Sequence, residues 1–391
     1  MGQGQISTCL ATRNPILFGR GTHRRVGEEL RRLGVTKALV VCDAGVRAAG
    51  ILDKILGCVE AAGIGTVVFD GVQPDPPDWT CEQAAGLGVR EGVDGVVAVG
   101  GGSSLDTGKA AKILLTNPPP ISRYYLAHED IVPDESKMYP IIVMPTTAGT
   151  GSEATPGGVI TDTATNVKHN VPCISNLGIV DPELTLGLPP SVTAITAVDA
   201  LCHAAEAYTS NKPNAISDIL TEKAISLIGE NLPRVIDDPG DAAAREGVQL
   251  AATLGGLGLM GPFCHIPHEI GLIIGTAFHI PHGAACGATL PEGLEFAAEA
   301  LPERVAAVTR LLGGSVPTGA SAAQIGAAAR ETVTRLFDKI GFPELRRYCA
   351  REELLAAAPR IMEPYPFVHC PREVALTDVA DILAKAYDRG Q

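Results

Sequence analysis

The stretch Val97–Lys112, VAVGGGSSLDTGKAAK, decides the fold because a strand, a glycine turn and the start of a helix follow one another directly. The apolar run ends at three glycines, and the helix is predicted to begin at Ser103 or Ser104. Such a turn directs backbone N–H groups and the positive end of a helix toward one point, which suits a phosphate or pyrophosphate. A tight turn without a ligand is the alternative, since Gly-rich turns are common.

Two familiar phosphate-binding motifs are close to this stretch but do not match it. A Walker A loop has four residues between its glycines and has Ser or Thr after its lysine. Here five residues separate Gly102 from Gly108, and Ala110 follows Lys109. The dinucleotide motif GxGxxG also fails, because Leu105 stands at the position of the third glycine. The spacing therefore disfavours a P-loop ATPase.

Strands and helices alternate on both sides of the glycine turn. Helix-like stretches, such as Arg24–Leu33 and Leu52–Ala62, separate short apolar runs. This alternation predicts a parallel sheet with crossover helices, and nearly all-apolar strands predict that helices cover both faces of the sheet. The predicted strands are Lys37–Asp43, Thr66–Asp70, Gly95–Val99 and Pro140–Met144.

The pattern changes after about Asp181. From Ser191 to the end, Ala, Leu and Ile recur with helical periodicity, and no strand is predicted. The segment Pro189–Ser191 places proline just before a helix start. The sequence therefore predicts an α/β domain over residues 1–185 and an all-α domain over residues 186–391, which suits a chain of 391 residues.

Charge and composition exclude several classes of partner. The 31 basic and 44 acidic residues give a formal net charge of −13, whereas nucleic acids and anionic membranes bind clustered Lys and Arg. No apolar stretch is long enough to span a membrane, and the N-terminal residues do not resemble a signal peptide, so a cytoplasmic protein is expected. The ten cysteines include no CxxC pair and are expected to be buried free thiols.

A second loop, rich in hydroxyl groups, follows the last of the predicted strands. It covers Pro145–Glu153, PTTAGTGSE, and ligands of open α/β sheets bind at the carboxyl ends of strands. Two such loops on neighbouring strands predict a nucleotide site. Asp43, which ends the first predicted strand, would accept hydrogen bonds from a ribose diol and repel a 2′-phosphate, which favours NAD over NADP. The alternative for Asp43 is the N-cap of a helix over Ala44–Leu52.

Carboxylate and imidazole groups in the second half of the chain predict a metal site. Asp199 and His203 are four residues apart, which places both on one face of a helix. Imidazoles with one carboxylate suit Zn²⁺ or Fe²⁺ better than Mg²⁺ or Ca²⁺. A helix cap, a surface pair, or histidines bonded to backbone carbonyls are the alternatives. Spacing leaves open whether the ligands are four later histidines or some of them together with Asp199 and His203. The later histidines are His265, His268, His279 and His282.

Four motifs, in order, resemble those of one enzyme family. They are GGGSSLDTGKA, PTTAGTGSE, DALCH and PHG. From Asn14–Gly21 through Pro371–Glu373, the chain resembles the iron-containing (group III) alcohol dehydrogenases of the dehydroquinate-synthase-like superfamily. The resemblance implies a Rossmann-like NAD-binding domain, a helical metal-binding domain and a homodimer. It also implies hydride transfer between NAD(H) and a small alcohol, aldehyde or ketone.

The resemblance assigns site residues by position. It implies that Fe²⁺, or alternatively Zn²⁺, acts as a Lewis acid and is bound by Asp199, His203, His268 and His282. The two other histidines of the later group then become neighbours of the metal. The implied cofactor residues are Asp43, Gly100, Gly101, Gly102, Ser103, Asp106, Thr146, Thr147, Thr150, Ser152 and Lys168.

One departure from the family concerns proton transfer. Leu272 stands where many relatives have a histidine near the nicotinamide. His279 and His369 are the candidate catalytic replacements, and the alcohol proton otherwise leaves through the cofactor ribose hydroxyl and water. Cys370 also replaces the usual Asn before Pro371–Glu373. The alternatives to an alcohol dehydrogenase are a maleylacetate-reductase-like enzyme and a cyclase or lyase related to dehydroquinate synthase.

Overall fold

The computed structural model describes residues 14–127, 131–363 and 365–389, and these form two compact units, residues 14–187 and 188–389. The first unit alternates strands and helices, and the second is helical. The predicted fold class, an α/β sheet domain followed by an all-α domain, is therefore confirmed.

The first unit contains eight strands and five α-helices among its described residues. The strands are β1 (Ile16–Phe18), β2 (Lys37–Val41), β3 (Gly65–Phe69), β4 (Gly95–Gly100), β5 (Ile141–Pro145), β6 (Gly157–Asp162), β7 (Val167–Pro172) and β8 (Leu177–Val180). The helices are α1 (Val26–Arg32), α2 (Ala44–Ala48), α3 (Ile51–Ala61), α4 (Asp78–Glu91) and α5 (Gly102–Leu114).

Six of these strands form one parallel sheet in the order β1-β8-β5-β4-β2-β3, and β6 and β7 form a separate antiparallel hairpin. Both faces of the large sheet are buried. Leu39 and Val41 of β2 lie in one core cluster with Val96, whereas Val40 lies in the other with Val97. This double burial explains why the central strands are apolar throughout.

The strand order reverses between β2 and β4. These strands are neighbours in the sheet, but β3 lies on the outer side of β2 and β5 on the opposite side of β4. Ligands of open α/β sheets bind at such a switch point, outside the carboxyl ends of the strands. Asp43 follows β2 and Gly101 follows β4, so Asp43 and the glycine turn, which are both predicted to bind the nucleotide, lie at this point.

The four predicted strands are present, but β1, β6, β7 and β8 were not predicted. The strands β1 and β8 are only three and four residues long, and β7 carries polar residues, so none has a strong local pattern. Helix α5 begins at Gly102, slightly before the predicted start. The reason is that extended Gly101 serves as the N-cap, and its carbonyl accepts bonds from the amides of Ser104 and Leu105.

The second unit contains eleven α-helices and no strand among its described residues, as predicted. Helix α6 starts at Pro190, where proline was predicted to mark a helix start. None of the helices that the structure describes is both long and apolar enough to cross a membrane. The helices are α6 (Pro190–Tyr208), α7 (Ala215–Asp237), α8 (Ala242–Gly258), α9 (Ile266–Phe278), α10 (His282–Ala288), α11 (Leu290–Ala297), α12 (Pro302–Leu311), α13 (Ala322–Ile340), α14 (Arg351–Ala356), α15 (Ala358–Ile361) and α16 (Leu376–Asp388).

The described cysteines carry no disulfide. Nine are free thiols, and six of the nine are buried, which agrees with the prediction from their spacing. The tenth, Cys9, lies outside the described residues.

Candidate active site

The glycine turn after β4 is packed directly against the hydroxyl-rich loop after β5. A Cβ on Gly102 would lie 2.7 Å from Cγ2 of Thr150, and the amide of Thr146 donates to the carbonyl of Gly100 at 2.9 Å. Gly100 has a φ of +147°, and a Cβ there would lie 2.4 Å from Oγ of Ser104. Glycine is therefore required at these positions by the close approach of the two loops and by the backbone conformation.

Asp43 has two hydrogen-bonding roles at the switch point. One carboxylate oxygen accepts a bond from the amide of Val46 at 3.0 Å, so Asp43 is the N-cap of α2, the alternative raised by the sequence. The other oxygen accepts a bond from Oγ of Ser104 at 2.9 Å. The carboxylate therefore joins the end of β2 to the glycine turn, and its side chain is only partly buried.

Two residues predicted to bind the cofactor, Asp106 and Ser152, are buried in an internal polar network. Asp106 accepts bonds from Oγ of Ser152 at 2.8 Å and from the amide of Val159 at 3.0 Å. The ammonium group of Lys109 donates to the carbonyl and hydroxyl of Ser152 and to the carbonyl of Gly157. This network ties α5 to the loop after β5 and to β6.

The other residues predicted to bind the cofactor differ in their access to solvent. Thr146 is buried, and Lys168, on β7, forms an ion pair with Asp75 at 2.6 Å. The partly exposed members at the mouth of the two loops are Gly101, Gly102, Ser103, Thr147 and Thr150.

In the helical unit, Asp199 of α6, His268 of α9 and His282 of α10 come together. Oδ1 of Asp199 lies 3.7 Å from Nε2 of His268 and 3.7 Å from Nε2 of His282. Nε2 of His268 is buried and has no hydrogen-bond partner among the described residues. One ligand atom from each of these residues, and the sulfur of Cys286, all lie within 4.8 Å of one another.

His203 lies on the same helix as Asp199, one turn after it, and beside the first group of potential ligands. Its ring stacks on that of His268, with 4.5 Å between the centroids. It belongs to a second group of potential ligands, with Cys264 and His268. Burial lowers its pKa to about 4, and its Nδ1 has no hydrogen-bond partner among the described residues. His203 therefore adjoins the first group through His268.

Glycines let the three helices approach closely at this cluster. A Cβ on Gly283 would lie 2.4 Å from the carbonyl oxygen of Ile195 and 3.0 Å from Cβ of Asp199, so α10 lies against α6. A Cβ on Gly271 would lie 2.6 Å from the sulfur of Cys286, so α9 lies against α10. Side chains at either position would push the ligand-bearing helices apart.

Glu206 orients His268, and the sequence analysis missed it. Its carboxylate accepts a 2.5 Å bond from Nδ1 of His268 and further bonds from the amides of His265 and His268. Burial opposes ionisation, but the positive charge of His268 and these bonds outweigh it and lower the pKa of Glu206. A bond at Nδ1 leaves Nε2 free to bind a metal, the usual arrangement of metal-ligating histidines. The available signal was helical spacing, since Asp199, His203 and Glu206 share one face of α6.

The remaining candidate histidines lie outside the first group. His279 is the exposed C-cap of α9 in a left-handed conformation, with a φ of 53°. His369 stacks on Phe263 with 4.9 Å between centroids. Nε2 of His265 lies 3.0 Å from Oγ1 of Thr209, and burial lowers the pKa of His265 to about 4.

The donor set fits a divalent transition metal. Buried imidazole nitrogens without partners are costly unless something binds them, and here Nε2 of His268, which has no hydrogen-bond partner among the described residues, lies 3.7 Å from the buried carboxylate of Asp199. Nitrogen with one carboxylate oxygen is a donor set for Fe²⁺ or Zn²⁺, which need fewer oxygen ligands than Mg²⁺ or Ca²⁺.

Comparison with known families identifies the chain. The family profile described as "Iron-containing alcohol dehydrogenase" matches residues 14–182, and "Fe-containing alcohol dehydrogenase family, C-terminal" matches residues 193–387. The chain belongs to the iron-containing alcohol dehydrogenase family. It is therefore an oxidoreductase, which confirms the resemblance seen in its motifs.

Individual relatives of this iron-containing alcohol dehydrogenase cover most of its length. The "Choline dehydrogenase" of Bacillus subtilis (strain 168) is 37% identical over 76% of this chain and 75% of that protein. The "NAD-dependent methanol dehydrogenase" of Bacillus methanolicus is 31% identical over 95% of this chain and 97% of that protein. A crystal structure of 1,3-propanediol oxidoreductase superposes with a TM-score of 0.90 and 32% identity, over 97% of this chain and 99% of that one.

Proposed function

We propose that this enzyme transfers hydride between NAD(H) and a small alcohol, aldehyde or ketone, with a divalent metal bound by Asp199, His203, His268 and His282. The observation that carries the proposal is the cluster of buried Asp199 and His268 with half-buried His282, in which Oδ1 of Asp199 lies 3.7 Å from Nε2 of each histidine. The similarity to NAD-dependent and small-alcohol dehydrogenases supports the reaction class.

The metal that this cluster fits is Fe²⁺ or Zn²⁺, which when bound would polarise a substrate carbonyl as a Lewis acid. The protein's part is to hold the donors in place. Glu206 orients the imidazole of His268 through its 2.5 Å bond, and the close contact of Gly283 with α6 holds His282 beside Asp199. Burial of Asp199 and His268 keeps water from competing with the substrate.

NAD, rather than NADP, is the nicotinamide cofactor that we propose, and it would supply or accept the hydride. The amides at the start of α5 would face its pyrophosphate, next to the partly exposed residues Gly101, Gly102 and Ser103. Asp43 would accept hydrogen bonds from the adenosine ribose while it caps α2. Asp106 and Ser152 would act indirectly, through the buried network that fixes the loop after β5.

Three finer points belong to the proposal. The alcohol proton would leave through the cofactor ribose hydroxyl and water, since Leu272 has no group that transfers protons and His279 is an exposed helix cap. His369 would take no direct part in that transfer, because it stacks on Phe263. A homodimer and a cytoplasmic location are the assembly and compartment that we expect from the resemblance and the sequence.

The test is NADH oxidation with short aldehydes and ketones, including betaine aldehyde because of the similarity to a choline dehydrogenase. Protein stripped by a chelator is compared with protein reloaded with Fe²⁺ or with Zn²⁺, and NADPH is run in parallel. We expect turnover only with metal, and faster with NADH than with NADPH. Absence of turnover with every metal, despite tight NADH binding, would reject the dehydrogenase proposal in favour of a cyclase or lyase.

A further inference from the structure

The loop after β3 lies beside the segment that we propose to bind the adenosine ribose. It covers residues 70–77, DGVQPDPP, and is called the β3 loop. Strands β2 and β3 are parallel neighbours in the sheet. The amide of Cys42 donates to the carbonyl of Phe69 at 2.9 Å, and the amide of Val72 donates to the carbonyl of Cys42 at 3.4 Å. The start of the β3 loop is therefore fixed next to Cys42, which directly precedes Asp43.

The first residue of the β3 loop, Asp70, forms an ion pair with Arg47 of α2. Oδ2 of Asp70 lies 2.6 Å from Nε of Arg47, and both side chains are about half exposed. Arg47 is the only Lys or Arg between Asp43 and Gly50. It lies one turn after Asp43, and side chains of a helix lean toward the helix N-terminus, so the side chain of Arg47 leans toward Asp43. The ion pair therefore holds a cation beside the proposed ribose carboxylate.

The buried thiol of Cys42 lies close to all three charged groups. Burial is the largest cause of its raised pKa, about 12; the charges of Asp43 and Asp70 raise this pKa too, and the charge of Arg47 lowers it. Two carboxylates and one guanidinium therefore surround the carboxyl end of β2, where the ribose of a bound dinucleotide lies in folds of this type.

The β3 loop pairs a second cation at its other end. Asp75 forms a 2.6 Å ion pair with Lys168 of β7. The loop is bound to the neighbouring strand β6 at this end, because Oγ1 of Thr161 donates to the carbonyl of Asp75 and the amide of Thr161 donates to the carbonyl of Pro76, both at 2.9 Å. One short loop therefore neutralises two cations, Arg47 from α2 and Lys168 from the hairpin.

The two nicotinamide cofactors make opposite demands at the adenosine ribose. The 2′-hydroxyl of NAD donates to an acidic residue, whereas the 2′-phosphate of NADP is bound by a nearby arginine. Arginine suits a phosphate because its guanidinium can donate two parallel hydrogen bonds. Arg47 is placed for this role next to Asp43, but its Nε is engaged by Asp70. The chain therefore carries a side chain that could bind a 2′-phosphate and a carboxylate that occupies it.

We propose that Asp70 is a positioning residue for the choice of cofactor: by binding Arg47 it withholds the guanidinium from a 2′-phosphate and makes the enzyme selective for NAD(H). The inference rests on the NAD-dependent function proposed above. Asp43 and Asp70 then act differently, since Asp43 repels the 2′-phosphate directly and Asp70 removes the cation that would compensate for that repulsion. Specificity of this kind is obtained by penalising the wrong ligand.

The test compares NADPH with NADH in fluorescence titrations of the full-length, metal-loaded protein, so the readout does not depend on turnover. Asp70→Asn removes the charge that holds Arg47 and keeps the size of the side chain. We expect this variant to bind NADPH roughly five- to tenfold more tightly than the wild type, and NADH with a dissociation constant within about twofold of the wild-type value. The gain should shrink at high ionic strength, because the groups are exposed. Asp70→Glu keeps the charge and should retain the wild-type ratio of the two dissociation constants.

Two further variants separate the action of Arg47 from a general change of charge. The double variant Asp70→Asn/Arg47→Gln lacks the guanidinium and should lose the gain in NADPH affinity. Asp75→Asn removes the same charge from the same loop but releases Lys168 and not Arg47. It should leave the ratio of the two dissociation constants within about twofold of the wild type, because Lys168 would meet only groups that both cofactors share.

Three outcomes overturn the proposal. They are an unchanged ratio in Asp70→Asn, a gain that persists in the double variant, and an equal gain in Asp75→Asn. Failure of the proposed function looks different, because the wild type would then bind neither NADH nor NADPH. Circular dichroism checks that each variant is folded, and Asp70→Ser, for which the same gain is expected, is measured if Asp70→Asn does not fold.

Discussion

The glycine turn of the α/β unit and the histidine cluster of the helical unit present polar atoms to their proposed ligands in opposite ways. Near the turn, the side chains satisfy one another: Asp106 binds Ser152, and Asp43 binds Ser104. In the cluster, Nε2 of His268 has no hydrogen-bond partner among the described residues. The first site therefore depends mainly on backbone amides and shape, and the second on side-chain donors.

The largest effect is expected when the carboxylate of Asp199 is removed from the histidine cluster. Asp199→Ala deletes the oxygen that lies 3.7 Å from both His268 and His282. We expect metal content to fall below stoichiometric and kcat/KM to fall by roughly a thousandfold or more, since a Lewis-acid metal contributes several kcal/mol. Metal analysis, steady-state kinetics and NADH titration are the measurements. Unchanged NADH affinity is the internal control, and normal metal content with normal turnover would contradict the assignment.

The next largest effect is expected at Glu206, which touches His268 and not the proposed metal. Glu206→Gln retains the size of the side chain but removes the charge that binds Nδ1 of His268 at 2.5 Å. Loss of such a partner lowers metal affinity by about tenfold to a hundredfold. Competition with a chelator measures the affinity. Glu206→Asp, which keeps the charge, is the matched variant, and equal affinity in wild type and Glu206→Gln would show that the carboxylate only supports the fold.

More of the glycine turn than of the histidine cluster could be predicted from the sequence. The reason is that a sequence shows local patterns but not the packing of distant helices. The glycine turn and the apolar strands β2 to β5 could be predicted because each of them is a local pattern in the sequence. Glu206 was missed because its role depends on the packing of α6 against α9, which brings it to His268; the helical spacing that it shares with Asp199 and His203 does not report that contact. The hairpin of β6 and β7 was missed because its polar residues weaken the alternation that marks a strand.

A change of pH tests whether buried His265 of the helical unit stays neutral in the folded protein. Burial lowers the pKa of His265 from 6.5 to about 4, so the folded protein keeps it neutral where the unfolded chain protonates it. The free energy of unfolding is therefore not reduced by His265 above about pH 6.5, and it decreases through His265 as the pH falls below that value. By pH 5, the metal-free protein should lose about 2 kcal/mol of unfolding free energy through this residue.

Urea unfolding of chelator-treated protein at pH 8 and pH 5 measures this loss. His265→Gln keeps a polar group near Thr209 but does not titrate, so its free energy of unfolding should decline less between the two pH values. His203 is present in both proteins, and its contribution therefore cancels in the difference. Parallel curves for the two proteins would mean that His265 is protonated, or solvated, in the folded state.

A smaller effect is expected from a single methyl group at the glycine turn. Gly102→Ala would place Cβ 2.7 Å from Cγ2 of Thr150, so the two loops must separate slightly. We expect NADH binding to weaken by roughly tenfold, about 1.4 kcal/mol, while metal content stays unchanged. Thr150→Ser removes the clashing methyl and keeps the hydroxyl. The double variant Gly102→Ala/Thr150→Ser should therefore recover most of the affinity in a fluorescence titration.

The smallest effect is expected at His279, which decides between two routes for the alcohol proton. This residue ends α9 in a left-handed conformation, with a φ of 53°, and its side chain is exposed. Glycine is the residue that such a helix end favours, so His279→Gly should not lower the free energy of unfolding. The change should be an increase of less than about 1 kcal/mol. Turnover should stay within about twofold of the wild type across the pH range, since no proton passes through an exposed cap that takes no part in the reaction. A loss of turnover that deepens below neutral pH would instead assign the relay to His279, and the ribose hydroxyl and water would no longer be the route that compensates for Leu272.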